Sequence, residues 1–90
     1  MQSIIDGVAK EHKRSRHVVY AYRIGDKEKY DDAGEPTRTA GLPTLEAIRR
    51  RELDNILVVT IRYFGGVLLG KGGLIRAYGK VAGRELDKYV

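Results

Sequence analysis

The sequence predicts an α+β fold, a two-layer sandwich in which helices pack on a sheet. Two segments, residues 17–24 and 56–64, are rich in β-branched and aromatic residues and are typical of strands. Apolar residues recur at helical spacing between residues 74 and 89, which predicts a helix. A glycine-rich segment connects this helix to the second strand, and a further helix precedes each strand.

Each element of the first half has its own local signal. Residues 3–13 carry apolar side chains on one stripe, which predicts a helix before the strand at 17–24. A turn is predicted at 25–27, and the polar stretch 28–41 predicts a loop. Pro43 is well placed as the first residue of the next helix, because the N–H that proline lacks would have no helical partner there.

The second half of the chain begins where Asp54 and Asn55 end that helix. In the first half of the strand at 56–64, the residues that face each side of the strand are all apolar. This pattern indicates a strand covered on both faces or deep in a small sheet. Two strands make a poor sheet, so residues 67–69 are predicted as a short third strand, and the loop at 28–41 and another copy of the chain are left open as sources of a fourth. An open sheet edge in so small a protein invites pairing, and a homodimer is the corresponding expectation.

The composition describes one domain, residues 1–90, and excludes several classes of protein. There is no cysteine, which excludes disulfides and thiolate metal sites. No apolar run approaches the ~20 residues that span a bilayer, and residues 1–10 lack the apolar core of a signal peptide. We therefore expect a cytoplasmic protein that makes no contact with a membrane.

The positive charge is unevenly distributed. The net charge is +5, from 17 lysines and arginines against 12 acidic residues. The excess forms two clusters, Lys10, Lys13, Arg14 and Arg16 in the first and Arg49, Arg50 and Arg51 in the second. Such a surface attracts RNA, another polyanion or an acidic protein surface. A solvated face that keeps a small domain soluble explains the same clusters equally well.

The glycine-rich segment is the strongest functional signal in the chain. Five of the 11 glycines lie between Gly65 and Gly73, and a helix follows directly. A helix start presents unpaired N–H groups and the positive end of its dipole to an anion. The candidate anion or nucleic-acid site consists of Arg62, Gly65, Gly66, Gly70, Lys71, Gly72, Gly73 and Arg76, the last expected on the first helical turn. The alternative is a sharp corner in which glycine only relieves crowding.

This segment matches the P-loop of nucleotide triphosphatases only in part. Residues 65–71 satisfy the pattern G-x-x-x-x-G-K, but Gly72 stands where a P-loop has the serine or threonine that binds magnesium. No second apolar strand ends in an aspartate that would complete a metal site. A nucleotide triphosphatase is therefore disfavoured, and no cofactor is predicted.

A second candidate site is acidic. Asp31, Asp32 and Glu35 bring three carboxylates close together, as ligands of a hard cation would be. Their spacing matches no calcium loop, and the same side chains suit turns and a helix cap, with Thr39 as a further cap candidate. The serines occupy no sharp strand-to-helix turn, and the 2 histidines lack metal partners. Neither a catalytic residue nor a metal site is predicted.

Three motifs resemble the IMPACT/YigZ family, in order and over nearly the whole chain. They are Tyr20-Ala21-Tyr22-Arg23, the acidic stretch 31–41, and Arg62-Tyr63-Phe64-Gly65-Gly66-Val67-Leu68-Leu69-Gly70 continuing to Arg76-Ala77-Tyr78-Gly79. In the family the acidic motif runs Asp-Asp-Gly-Glu-Pro. Ala33 is inserted in this chain, which weakens the case for a fixed metal geometry.

The resemblance implies a fold like domain two of ribosomal protein S-five. In eukaryotic relatives this module belongs to regulators of translation under amino-acid starvation, and the fold implies ribosome or nucleic-acid binding for bacterial ones. Family members begin with a further strand, and bacterial members usually append a ferredoxin-like domain; neither is expected in this chain. A chain without that first strand needs a second copy or a partner to complete its sheet.

Three functional hypotheses follow. The first is a non-enzymatic binding module related to translation control, which contacts RNA, the ribosome or an acidic protein surface. The second is a phosphate-ligand-binding protein or enzyme that combines the glycine-rich loop with Asp31, Asp32 and Glu35, and it requires the two motifs to meet in one cleft. In the third, the glycines and acids serve folding alone and a partner surface carries the function.

Overall fold

A computed structural model describes residues 2–11, 17–63 and 69–90, which form three helices and three strands. In chain order they are α1 (Gln2–Glu11), β1 (His17–Ile24), β2 (Lys27–Asp31), α2 (Gly41–Arg50), β3 (Ile56–Arg62) and α3 (Gly70–Leu86), followed by a 3-10 turn at Asp87–Tyr89. The α+β class predicted from the sequence is confirmed. The short strand predicted at 67–69 falls mainly on residues outside the described ranges.

The sheet is antiparallel, with strands in the order β2-β1-β3. In the centre of β1, Ala21 lies opposite Tyr30 of β2 and Val58 of β3, and this face packs against α2 and α3. The main core cluster consists of Ala21, Leu45, Ala47, Ile48, Ala82 and Leu86. A second cluster of Val19, Ala40, Leu74 and Tyr78 fixes the first half of α3 beside β1. On the N-terminal side, α1 packs against β1 with Ile5 buried.

The strand β2 corrects the loop predicted at 28–41, because its five residues pair with β1. Tyr30 is the only apolar residue of β2, and the other four are charged. Strand prediction relies on apolar alternation, which a strand with one apolar residue does not show. Charged residues are common on edge strands because they discourage pairing with other chains.

The start of α2 is held by Asp32, not by Thr39 as the sequence suggested. The carboxylate of Asp32 accepts backbone N–H groups from three residues that precede or begin the helix. They are Arg38 at 2.9 Å, Ala40 at 3.2 Å and Gly41 at 2.8 Å. The hydroxyl of Thr39 instead donates to the carbonyl of Pro36. An acidic side chain from outside the helix therefore satisfies donors that would otherwise lack partners.

The first residue of α2 is also a point of close approach. A Cβ atom at Gly41 would lie 2.6 Å from Cδ1 of Tyr30 and 2.9 Å from the backbone of Asp31. Glycine is therefore required for α2 to begin directly against β2. Since the helix begins at Gly41, Pro43 is its third residue, not its first as predicted.

The helix α3 begins earlier than apolar spacing indicates. It starts at Gly70, which has a φ of 71°, so that Lys71, Gly72 and Gly73 belong to its first turn and Arg76 to its second. Glycines add no apolar side chain to the helical pattern, and therefore the spacing of apolar residues does not predict the first turn of the helix. The glycine-rich segment is in part the helix itself.

The two edges of the sheet are β2 and β3. Within residues 2–11, 17–63 and 69–90, no strand pairs with the outer side of β3. None of the helices in these ranges is long and apolar enough to cross a membrane.

Candidate functional site

The carboxylate of Glu35 lies at the centre of a buried polar cluster. Its side chain is 3% exposed. Arg62, the last residue of β3, donates from Nε to Oε2 of Glu35 at 2.6 Å and from Nη2 to Oε1 at 2.9 Å. Tyr78, on α3, donates its hydroxyl to Oε2 at 2.7 Å. Glu35 therefore joins the acidic segment, the end of β3 and the third turn of α3 in one network.

His17 completes this cluster from β1, where the register of the sheet places it opposite Arg62. Its Nδ1–H donates to the carbonyl of Ala33 at 2.7 Å, and its Nε2 lies 3.4 Å from Oε1 of Glu35. Because a backbone carbonyl only accepts, Nδ1 carries a proton in this arrangement. The turn before Glu35 is thereby tied to the sheet.

The protonation states of the cluster follow from burial and from these hydrogen bonds. Burial, the largest single effect, disfavours the charged form of Glu35, but the hydrogen bonds from Arg62 and Tyr78 and the electrostatic interactions with His17 and Arg62 together hold the pKa of the carboxyl below its ordinary value. The hydrogen bond to Glu35 raises the pKa of Arg62. Burial, and then the hydrogen bond to Glu35, raises the pKa of Tyr78. At neutral pH the cluster therefore contains a carboxylate, a guanidinium ion and a neutral phenol.

A cavity of about 230 Å³ opens beside the cluster, at the start of α3. Its walls are formed by Glu35, Pro36, Arg62, Leu69, Gly70, Lys71 and Leu74. The acidic segment and the glycine-rich segment therefore meet in one cleft. Of the three acidic candidates, Glu35 alone lines it.

The first turn of α3 forms the basic side of this cleft. No side chain of the described residues caps it. Lys71 and Arg76 are exposed and make no ion pair within the described ranges. The guanidinium of Arg76 lies close to Gly72, where an added Cβ would be 3.3 Å from Nη1. Two exposed positive charges therefore accompany the positive end of the helix dipole. Gly65 and Gly66, predicted as part of the same site, lie outside the described residues.

Asp31 and Asp32 do not point into the cleft but bind backbone. Oδ1 of Asp31 accepts the N–H of Ala33 at 2.8 Å, and Asp32 holds the start of α2. In the described part of the chain, no group of three or more histidine, cysteine and acidic residues is arranged to hold a metal ion. These contacts fit the interpretation of the two aspartates as turn and cap residues.

The second arginine cluster is paired with carboxylates from three elements. The pairs are Arg49–Glu28 at 2.8 Å, Arg50–Glu46 at 3.4 Å and Arg51–Asp87 at 2.7 Å. This pairing offsets much of the field that a polyanion would feel. In the first cluster, Lys10 is exposed at the end of α1, whereas Lys13, Arg14 and Arg16 lie outside the described residues.

Two members of the cluster, His17 and Tyr78, were not predicted as site residues. Tyr78 matches the apolar spacing of α3 and looks like a core residue, and His17 stands at the start of a strand. The one available signal is chemical: a buried tyrosine hydroxyl needs a hydrogen-bond partner, and Glu35 is the acceptor it finds.

The fold and the site together define an α+β module with a cleft between a buried Glu–Arg–Tyr network and a glycine-rich helix start. The model of the Impact N-terminal domain family matches residues 1–86, and the chain belongs to this family. The resemblance found in the three sequence motifs is thereby confirmed.

The relatives named as family members are bacterial. The chain is 45% identical over 89 residues to IMPACT family member YvyE of Bacillus subtilis (strain 168), covering 96% of this chain and 41% of the relative. It is 50% identical over 80 residues to an IMPACT family member from Thermus thermophilus, and the match covers 89% of this chain and 44% of the relative. It is 39% identical over 83 residues to IMPACT family member YigZ of Escherichia coli (strain K12), and the match covers 87% of this chain and 41% of the relative.

A solved crystal structure, described as that of a hypothetical protein, has the same fold. The TM-score is 0.92 at 35% sequence identity, and the match covers 97% of this chain and 45% of the other. The chain thus spans less than half the length of these relatives.

Proposed function

We propose that this chain is a non-enzymatic module of translation control that binds the phosphate backbone of RNA at the start of α3. The observation that carries the proposal is the first turn of α3, where N–H groups without a side-chain cap meet Lys71 at the mouth of a cavity. Such a helix start binds an anion through its N–H groups and its dipole. The net charge of +5 draws a polyanion toward the molecule from a distance.

The network around Glu35 supports binding over catalysis. A general base works best with a pKa near the operating pH, and the pKa of Glu35 is instead held below its ordinary value. Both oxygens of the carboxylate already accept hydrogen bonds from Arg62. The pair therefore forms one wall of the cleft, and in this proposal a phosphate binds on the Lys71 side, away from the carboxylate.

Membership of the Impact N-terminal domain family supports the link to translation, since the resemblance of the three motifs implies translation regulators among eukaryotic members. RNA is favoured over an acidic protein surface because a phosphate backbone offers regularly spaced charges to both Lys71 and Arg76. RNA engaged in translation is cytoplasmic, and we place the protein there for that reason.

The proposal is tested by measuring the affinity for a single-stranded RNA oligonucleotide over a series of salt concentrations, using fluorescence anisotropy. Affinity is expected to fall linearly with salt on logarithmic axes. Lys71→Glu and Arg76→Glu should each weaken binding at low salt by about tenfold, because each removes one phosphate contact and adds a repulsion.

Matched controls come from the same helix. Lys80→Glu and Arg84→Glu make the same charge reversals on exposed residues further along α3, and they should weaken binding much less. Equal losses for all four variants would indicate a diffuse charge effect without a site. Undetectable binding of RNA at low salt contradicts the proposal outright.

The cavity itself favours a second candidate, a small ligand that carries a phosphate group. Its volume of about 230 Å³ and its mixed lining of Arg62, Lys71 and Leu74 suit a compact ligand with one anionic end. A mononucleotide that binds with the same affinity as the RNA oligonucleotide, and displaces it, would favour this candidate over RNA.

A further inference from the structure

Another cavity, of about 280 Å³, lies in the groove between α2 and α3. The two helices are close together here, since a Cβ added at Gly79 would lie 4.0 Å from Cβ of Pro43, and both residues line the cavity. Leu42 of α2 and Ile75 of α3 add apolar surface, and Ile75 is 45% exposed. This cavity shares no lining residue with the cleft at the start of α3, so the two are separate sites.

The remaining lining residues of this cavity are charged and include both signs. Arg38 precedes α2, and Glu46 and Arg50 lie one turn apart on the helix. Oε2 of Glu46 accepts a long hydrogen bond from Nη2 of Arg50, at 3.4 Å. In the described part of the chain, Oε1 of Glu46 accepts no hydrogen bond and the guanidinium of Arg38 forms no ion pair. An acceptor and a donor group therefore stay available to a ligand.

The position of Arg38 beside the cavity is fixed by the turn before α2. Its backbone N–H donates to the carboxylate of Asp32 at 2.9 Å, and its φ of 64° lies in the left-handed region that residues other than glycine rarely adopt. The N–H of Thr39 donates to the carbonyl of Pro36 at 3.1 Å. Because the turn is held by both hydrogen bonds, the side chain of Arg38 leaves the backbone at a defined point of the cavity wall.

We propose that this cavity binds a guanine base, and the proposal rests on the binding of RNA at the start of α3 proposed above. The Watson–Crick edge of guanine carries two adjacent donors, N1–H and the N2 amino group, which match the two oxygens of one carboxylate. Glu46 supplies this carboxylate, and the guanidinium of Arg38 donates to O6 and N7 of the base. Leu42 and Ile75 provide the apolar surface on which the ring lies.

The other bases fit the carboxylate of Glu46 less well. Adenine and cytosine each present one amino group beside a ring nitrogen that only accepts, and uracil presents one N–H between two carbonyl groups. Each of these edges sets an acceptor of the base against a carboxylate oxygen and leaves that oxygen without a donor. Unpaired polar groups of this kind discriminate strongly between ligands, so the cavity should prefer guanine.

The cavity also lies within reach of an RNA strand bound at the start of α3. Ile75 follows Lys71 by four residues, which is about 6 Å along the helix axis. Arg76, next to Ile75, is exposed on the same turn. A phosphate held by Lys71 and Arg76 can therefore belong to a nucleotide next to the one whose base enters the cavity.

Guanosine and adenosine test the cavity independently of the phosphate site, because neither carries a phosphate. In a two-dimensional NMR titration, guanosine should shift the backbone N–H signals of Arg38, Glu46 and Gly79, and adenosine at the same concentration should shift them far less. Glu46→Gln should abolish this difference, because an amide offers one acceptor where the carboxylate offers two. Glu85→Gln, which alters an exposed carboxylate that does not line the cavity, is the matched control and should keep it.

In RNA, the preference is measured by fluorescence anisotropy with oligouridine and with the same oligonucleotide carrying one guanosine. The wild type should bind the guanosine-containing oligonucleotide about tenfold more tightly. Inosine in place of guanosine should lose most of this gain, because it lacks the N2 amino group. Glu46→Gln should bring the ratio of the two affinities close to one and keep the affinity for oligouridine, which depends on Lys71 and Arg76.

The two titrations separate failure of this proposal from failure of RNA binding. Equal responses of the wild type to guanosine and adenosine overturn the guanine site, even if oligouridine binds. A preference for guanosine that persists in Glu46→Gln overturns it as well, because Glu46 then does not read the base. Guanosine-specific shifts without any binding of RNA would support the guanine site and contradict the proposed function.

Discussion

Arg62 and Glu35 are 27 residues apart in the chain and form a bidentate ion pair, in which the carboxylate of Glu35 is almost fully buried. The pair connects the turn that follows β2 to the end of β3, immediately before the glycine-rich segment. Tyr78 adds a third hydrogen bond from α3, so that the same carboxylate also positions the helix. The shape of the cleft at the start of α3 therefore depends on one acidic side chain.

Glu35→Gln is expected to lower the free energy of unfolding by about 2 kcal/mol at neutral pH, because Arg62 loses a charged partner. The pKa of Glu35 is depressed in the folded state, so its contribution is complete above the unfolded-state pKa of about 4.3 and is lost as the pH falls through the lower folded-state value. The difference between the wild type and the variant should therefore shrink at acidic pH. Urea denaturation at several pH values measures it, and a difference that stays constant would contradict this account.

Tyr78→Phe should remove one donor from the carboxylate of Glu35 and keep the apolar contacts of the ring. We expect a loss of about 1 kcal/mol in the free energy of unfolding, since Arg62 still satisfies both carboxylate oxygens. Tyr89→Phe is the matched control, because that tyrosine is exposed and its hydroxyl lies outside the cluster. Equal stabilities for the two variants in thermal unfolding would argue against the role given to the Tyr78 hydroxyl.

Asp32→Ala is predicted to destabilise the fold by about 1–2 kcal/mol, the usual range for loss of a helix cap. Asp32 holds three backbone N–H groups, whereas Asp31 holds one. Asp31→Ala should therefore cost clearly less. Chemical denaturation of the two variants compares them, and the reverse order of stability would show that the cap has been assigned to the wrong aspartate.

Gly41→Ala and Gly7→Ala should have effects of opposite sign. At Gly41 a Cβ would collide with Tyr30 and with the backbone of Asp31, so α2 must shift away from β2 and the protein loses stability. At Gly7, in α1, a Cβ meets nothing within 4 Å, and alanine should stabilise the helix by about 0.5–1 kcal/mol. Thermal unfolding of both variants distinguishes the two cases. A stable Gly41→Ala protein would mean that the contact with β2 is looser than described.

The sequence predicts those elements whose pattern lies within the element itself. The strand β1 was predicted with its observed bounds, and β3 within two residues of its end. In contrast, β2 was missed because its composition does not indicate a strand. It forms a strand because it pairs in register with β1 at the edge of the sheet. The start of α3 was missed because Gly70, Gly72 and Gly73 carry no side chain on which periodicity can act.

Several residues of the candidate site were predicted, and the second functional hypothesis required the acidic and glycine-rich motifs to meet in one cleft, as Glu35 and Lys71 do. The direct contact between the two motifs was not predicted. Glu35 and Arg62 were placed in two separate sites, one acidic and one anion-binding, and they turned out to neutralise each other. This pairing depends on the sheet register that sets His17 opposite Arg62, a long-range property that no local motif encodes. Lys71 lines the cleft as part of the glycine-rich segment to which the sequence assigned it, and its role as an anion-binding residue stays a prediction.

The most direct test of the central claim is a two-dimensional NMR titration of the isotopically labelled protein with the RNA oligonucleotide. The backbone N–H signals of Gly70, Lys71, Gly72 and Gly73 should shift with saturation, and added salt should reverse the shifts. In the Lys71→Glu variant the same signals should move far less. Shifts confined to other parts of the molecule, with the first turn of α3 unaffected, would contradict the claim that RNA binds at this helix start.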